Sequence, residues 1–117
     1  MFEVYYYVLP NGEVPIKQFI NSLDPKIRTK ALGSIQILKK YGNMLREPYS
    51  KPIGNGIFEL RIEFAGDITR IFYFFIVGRK IILTNGYIKK TQKTPSGEIS
   101  KAMKYKADYE RRMDING

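Results

Sequence analysis

The sequence contains no cysteine and no histidine. Without cysteine there is no disulfide, no thiolate nucleophile and no zinc–thiolate site. Without histidine the commonest general base and the commonest transition-metal ligand are missing, together with every Ser-His or Cys-His arrangement. Proton transfer is left to Lys, Tyr, Asp, Glu or the substrate itself. Long apolar runs are lacking too. The longest, Ile71 to Val77, falls well short of the roughly 20 residues that cross a bilayer, so no membrane association is expected. Acidic residues number 11 against 20 Lys and Arg and are scattered along the chain. Glu59 and Glu63 on one strand would lie roughly 13 Å apart, too far to share an ion. No phosphate-cradling glycine loop occurs either. Neither a metal nor another cofactor is expected.

What is present is positive charge and apolar pattern. The formal net charge is +9, which suggests a polyanionic partner, with nucleic acid or an acidic protein first. A soluble domain that merely happens to be basic is the plainer alternative. At 117 residues, 44% of them hydrophobic, the chain fits one domain over 1–117 with one modest core. Its start, Met1-Phe2-Glu3-Val4, passes directly into a strand pattern with no basic leader, and a cytoplasmic protein is expected.

The stretch from Ile57 to Lys93 organises the rest. It reads as three successive strands, rich in Ile, Phe and Tyr and joined by short turns at Ala65-Gly66-Asp67 and Gly78-Arg79-Lys80. In the first of them Phe58, Leu60, Ile62 and Phe64 share one face, which should meet the helices. Glu59, Arg61 and Glu63 share the other, expected to stay open. Arg70 falls in line with Phe72, Phe74 and Ile76. An Arg in so apolar a strand is either paired, with Glu59, Glu63 or Asp67 available, or used.

Before this meander, Phe2 to Leu9 predicts a strand. Ile16, Phe19, Ile20 and Leu23 then predict a short helix with Pro15 in its first turn. Asp24 and Pro25 predict the N-cap and first residue of a second helix, with Ile27, Ala31, Ile35 and Leu38 on its apolar stripe and Gly42 as its stop. Gly33 within it suggests close approach to the sheet. Asn43 to Gly56 has no periodicity and is predicted to be an anchored connector. After the meander, Thr94 and Pro95 predict the start of a last helix, with Ile99, Ala102, Met103, Tyr109 and Met113 as an approximate apolar stripe.

Arg61, Arg70 and the lysines following the last strand converge if the three strands pair in order. Such a group suits RNA, whose phosphodiester binds guanidinium and ammonium groups and whose 2′-hydroxyl is a built-in nucleophile. A lysine with its pKa lowered by crowded cations can act as base, and loop tyrosines such as Tyr87 can stack on bases. The same surface can also simply bind RNA or an acidic protein.

The run from Gly56 to Pro95, with E-L-R at 59–61, G-D-x-x-R-I-F-Y at 66–73 and K-K-T-Q-K-T-P at 89–95, resembles the HigB-like, phage-derived branch of the RelE/ParE toxin superfamily. The likeness covers nearly the whole chain. It implies an α+β fold in the order β-α-α-β-β-β-α, with a mostly antiparallel sheet, two N-terminal helices on one face and a C-terminal helix. It further implies the toxin of a type II toxin–antitoxin system, a metal-independent endoribonuclease that cuts mRNA in the ribosomal A site and so inhibits translation. Its partners would be mRNA, ribosomal RNA and a cognate helix-turn-helix antitoxin.

By position, Arg61 and Arg70 match the sheet residues that grip the scissile phosphate. Lys89 and Lys90 match the basic pair after the last strand, and Lys93 is a further catalytic candidate. Lys51, Tyr87, Gln92, Tyr105 and Tyr109 are the expected RNA contacts. The tyrosine that several RelE relatives place soon after the basic pair is replaced here by Thr94-Pro95-Ser96, with Tyr105 and Tyr109 as substitutes. The histidine of other HigB members has no counterpart. A ParE-like gyrase poison and a non-catalytic binding relative of the same fold are the other readings. Under the nuclease reading, Arg70→Ala is expected to abolish toxicity while sparing antitoxin binding.

Overall fold

The computed structural model describes residues 1–89 and 96–114. They form an α+β fold in the order β1 (Glu3–Tyr6), α1 (Pro15–Ser22), α2 (Pro25–Tyr41), a 3-10 turn (Gly42–Met44), β2 (Ser50–Gly54), β3 (Ile57–Phe64), β4 (Asp67–Ile76), β5 (Lys80–Lys89) and α3 (Ser96–Asp114). One sheet holds the strands in the order β1-β5-β4-β3-β2. Every pairing is antiparallel except β1 with β5. This is the layout the resemblance implies, with one strand more.

The N-terminal helices form where their caps and stripes predict. Asp24 accepts a hydrogen bond from the Lys26 backbone N–H at 3.0 Å and Pro25 opens α2, satisfying a donor the helix leaves orphaned. Gly42 ends α2 at φ 52°, and the Phe2 ring stands where a Cβ on it would project. Ile16, Ile20, Ala31, Ile35 and Leu38 are buried against Leu60, Ile62, Ile71, Tyr73, Ile81 and Leu83 of the sheet, with Ile27 partly buried beside them. Gly33 does not serve close packing: it is exposed, and an added Cβ would meet nothing within 4 Å.

A two-residue turn joins β3 to β4, and a three-residue turn, Val77 to Arg79, joins β4 to β5. Ala65 and Gly66 both have positive φ, 52° and 87°, the backbone of a type I′ hairpin that matches strand twist. The predicted connector holds a strand instead. β2 pairs with β3 through Asn55 and Gly56, at φ 55° and 77°. Pro52 is tolerated because β2 is an edge, where a missing N–H costs no ladder bond.

The charged face of β3 is not left open. α3 crosses the sheet on that side, packing Ile99 and Ala102 on Ile57, Phe72 and Tyr87, and Tyr105 and Tyr109 on Tyr7, Phe74 and Ile82. Met103 and Met113, assigned to its stripe from sequence, are exposed instead, and Tyr105 packs on the sheet, partly buried. Thr94 and Pro95 lie outside the described residues. No helix among the described residues is long and apolar enough to cross a membrane.

Candidate active site

Strand register decides which cations meet. The Ala65-Gly66 turn pairs Arg61 with Arg70 directly across β3 and β4, and Arg70 is paired with Tyr87 on β5. Directly paired residues point to the same face. Arg61, Arg70 and Tyr87 therefore form one row across three strands. Lys89, two residues beyond Tyr87, faces the same way. Lys51 on β2 pairs with Glu59 and closes the opposite side.

A β-bulge makes this row. Between the pairs Ile71 with Gly86 and Tyr73 with Leu83 the register shifts by one residue, with Thr84 and Asn85 opposite Phe72 alone. The Thr84 hydroxyl donates to Phe72 O at 3.3 Å, and the Asn85 amide donates to Glu98 O in the first turn of α3 at 3.2 Å. A one-residue shift turns every following side chain to the other face. Without it Arg70 would stand opposite Gly86, and Ile88 instead of Lys89 would share its face. On the far side of β5, Gly86 lets the Phe19 ring approach, since an added Cβ would lie 2.6 Å from it.

Two arginines directly opposite repel. Glu59, on the diagonal from Arg70, relieves this by accepting from Arg70 Nη1 at 2.5 Å, with both side chains sealed at 5% and 0% exposure. Arg70 is thus both paired and part of the row. Arg61 is half-buried and has no carboxylate partner among the described residues. Four cations, Lys51, Arg61, Arg70 and Lys89, surround Glu59, with Glu63 exposed at the rim. Burial first, then the Arg70 guanidinium, pushes the Lys89 pKa below the ordinary lysine range. Arg61 and Lys51 add to that and Glu59 opposes it.

The expected RNA contacts fare unequally. Lys51 is exposed and also borders a cleft of about 730 Å³ with Leu45, Arg46, Pro52 and Phe58. Tyr87 is not a loop residue: it lies in β5, 8% exposed, with its ring stacked on Phe72 at 5.8 Å. Tyr105 and Tyr109 do not join the row. Tyr105 stacks on Tyr7 at 4.7 Å and Tyr109 meets Phe74 edge-on at 5.6 Å. Phe74 is four residues along β4 from Arg70, about 13 Å. Both tyrosines hold α3 to the sheet. Lys90, Gln92 and Lys93 lie outside the described residues. Among the described residues no group of three or more His, Cys, Asp or Glu could hold a metal ion.

Glu59, one of three acids open as the Arg70 partner, could have been singled out from the turn. A two-residue turn at Ala65-Gly66 fixes Glu59 on the diagonal, sets Glu63 opposite Ile68 and leaves Asp67 at the strand's start. The β2 strand had its signal in Asn55-Gly56 between Ile53 and Ile57.

The family model described as "Phage derived protein Gp49-like (DUF891)" matches residues 18–107, a span that contains α2, all of β2 to β5 and most of α3. No curated protein matches the chain. Strand order, cationic row and family match converge: the chain belongs to the Gp49-like phage-derived family, a RelE/HigB-like toxin family.

Proposed function

We propose that this protein is the toxin of a type II toxin–antitoxin system and cuts mRNA on the ribosome, using the RNA 2′-hydroxyl as nucleophile. The observation that carries the reading is that strand register gathers Arg61, Arg70 and Lys89 on one face beside Lys51, an arrangement that also lowers the Lys89 pKa. A cluster that repels its own protons attracts a phosphodiester.

In this reading Arg61 binds the scissile phosphate and stabilises the charge that develops on it. Arg70, held by Glu59, adds positive field on the same face. Lys89 in its neutral form accepts the proton of the 2′-hydroxyl. The 2′-oxygen bonds to phosphorus, and the bond from phosphorus to the 5′-oxygen breaks. The cut leaves a 2′,3′-cyclic phosphate and, once the leaving oxygen is protonated, a 5′-hydroxyl. Lys90 and Lys93, which follow Lys89 in sequence, are the candidates to supply that proton. Messenger RNA and ribosomal RNA are the polyanions that the net charge addresses, and the cognate helix-turn-helix antitoxin is the partner that restrains the toxin in the cytoplasm.

Induced expression followed by mapping of mRNA 5′ ends tests this. Cuts at fixed positions within codons are expected for the wild type and their loss for Arg61→Ala and Lys89→Met. Growth arrest with a DNA-damage response and uncut messages would instead point to a gyrase poison. No growth effect at all would point to a non-catalytic relative.

A further inference from the structure

The two edges of the sheet are treated differently. At β2 the edge carries Lys51 and Pro52 and a register shift between Pro52 and Gly54, devices that discourage a further strand. The other edge, β1, has none of them. Its sequence is Glu-Val-Tyr-Tyr, and Tyr5, Tyr6 and Val8 are 44%, 36% and 42% exposed.

The ladder shows which backbone groups are spent. Glu3 N–H donates to Arg79 O and Tyr7 N–H to Leu83 O, each at 2.9 Å. In a parallel pair, bonding alternates along the strand. Glu3, Tyr5 and Tyr7 therefore turn their backbone toward β5, while Val4 and Tyr6 direct N–H and C=O outward. Beside that edge runs a groove of about 330 Å³ between β1 and α2, lined by Val4, Tyr6, Ile35, Gln36 and Lys39.

The surroundings are cationic on both sides of the sheet. Lys39 lines the groove. Arg79 lies over the Phe2 ring at 4.6 Å, and Lys80 over the Tyr5 ring at 5.8 Å. Arg112 donates to Val8 O at 2.6 Å while its charge is shared with Asp108 at 2.7 Å, so Lys39, Arg79 and Lys80 supply most of the positive charge. The one acid on the strand, Glu3, is occupied by the Tyr5 hydroxyl at 2.9 Å.

We propose that the outer edge of β1 is a docking surface for an extended acidic segment of a partner protein, which joins the sheet as a sixth strand. Main-chain bonds to Val4 and Tyr6 give the affinity, and alternate side chains entering the groove toward Lys39 give the selectivity. A second copy of this chain is disfavoured by the charge that both copies would bring together. The edge pairs with the first half of β5, ending at Leu83, six residues or about 20 Å from Lys89. Occupation is therefore independent of the cationic row, and the proposal does not rest on the RNA reading.

The probe is a synthetic decapeptide library with glutamate fixed at alternate positions, set against the same library with lysine fixed. Binding to the full chain is followed by amide hydrogen exchange. The glutamate library is expected to bind at least about tenfold more tightly and to slow exchange at Val4 and Tyr6. Tyr6→Pro, which removes an outward N–H and no ladder bond, abolishes this. Lys39→Glu, which leaves the backbone intact, weakens it even where the proline variant folds poorly. The proposal is overturned if neither library binds, or if lysine peptides bind as well. It is also overturned if binding leaves both amides exchanging freely, or if they are protected without peptide in a self-associated species.

Discussion

At the scale of single residues, the Glu59–Arg70 pair sets what a mutation can reveal. Both side chains are out of water, so removing either leaves a buried charge that must be neutralised or solvated. Arg70→Ala is therefore expected to lower stability by about 3–5 kcal/mol, a large part of the roughly 5–15 kcal/mol that holds a domain folded. Glu59→Gln combined with Arg70→Met, which removes both charges at similar volume, should recover much of that in a denaturant titration. Equal stability of Arg70→Ala and wild type would show that the pair is hydrated in solution. Loss of toxicity in Arg70→Ala alone thus speaks first to folding, and the expectation that this variant isolates the chemistry gives way. Arg61, half-buried and without a carboxylate partner among the described residues, is the cleaner position. The arginines themselves were visible in sequence because cations in apolar strands are conspicuous. Their pairing was not, because it depends on a register that spans a turn.

At the scale of elements, α3 is fastened to the sheet by aromatic stacking and by a polar clasp. The Tyr7 hydroxyl donates to Asp108 at 2.5 Å, and Arg112 pairs with the same carboxylate at 2.7 Å. Burial, then this hydrogen bond, raises the Tyr7 pKa from 10.0 to about 12. The folded protein keeps that proton where the unfolded chain has lost it. The stability it contributes is complete below pH 10 and disappears as pH climbs from 10 to about 12. Tyr7→Phe should flatten this alkaline decline in the denaturant midpoint, and an unchanged decline would place its origin elsewhere. Helix boundaries were legible because caps and stripes are local signals, as at Asp24 and Gly42. The bulge at Thr84-Asn85 was not, because an extra residue in one strand leaves no mark in a period-2 pattern already apolar on both faces. That bulge puts Lys89 on the Arg70 face. Likewise β2 was hidden by Pro52, which only an edge position accommodates.

At the scale of the whole molecule, the net charge of +9 includes two groups of cations on separate parts of the sheet. One is the row of Arg61, Arg70 and Lys89 beside Lys51. The other is the rim of β1, where Lys39, Lys80 and Arg112 flank an open strand edge. Composition announced the charge and excluded thiol and imidazole chemistry, but only the sheet order distributes the cations. The lowered pKa of Lys89 ties the first surface to a rate. Under the proposed reading, in which the neutral amine is the base, cleavage should rise with pH and level off below the ordinary lysine range. The most direct test is single-turnover cleavage of mRNA by the purified protein on ribosomes with an open A site, followed across pH for the wild type, Lys89→Met and Arg61→Ala. The account predicts message cut only on the ribosome, at a rate that rises with pH in the wild type, and cutting lost in both variants. Message left whole by a folded wild type, or cut equally well by folded Lys89→Met, would contradict it.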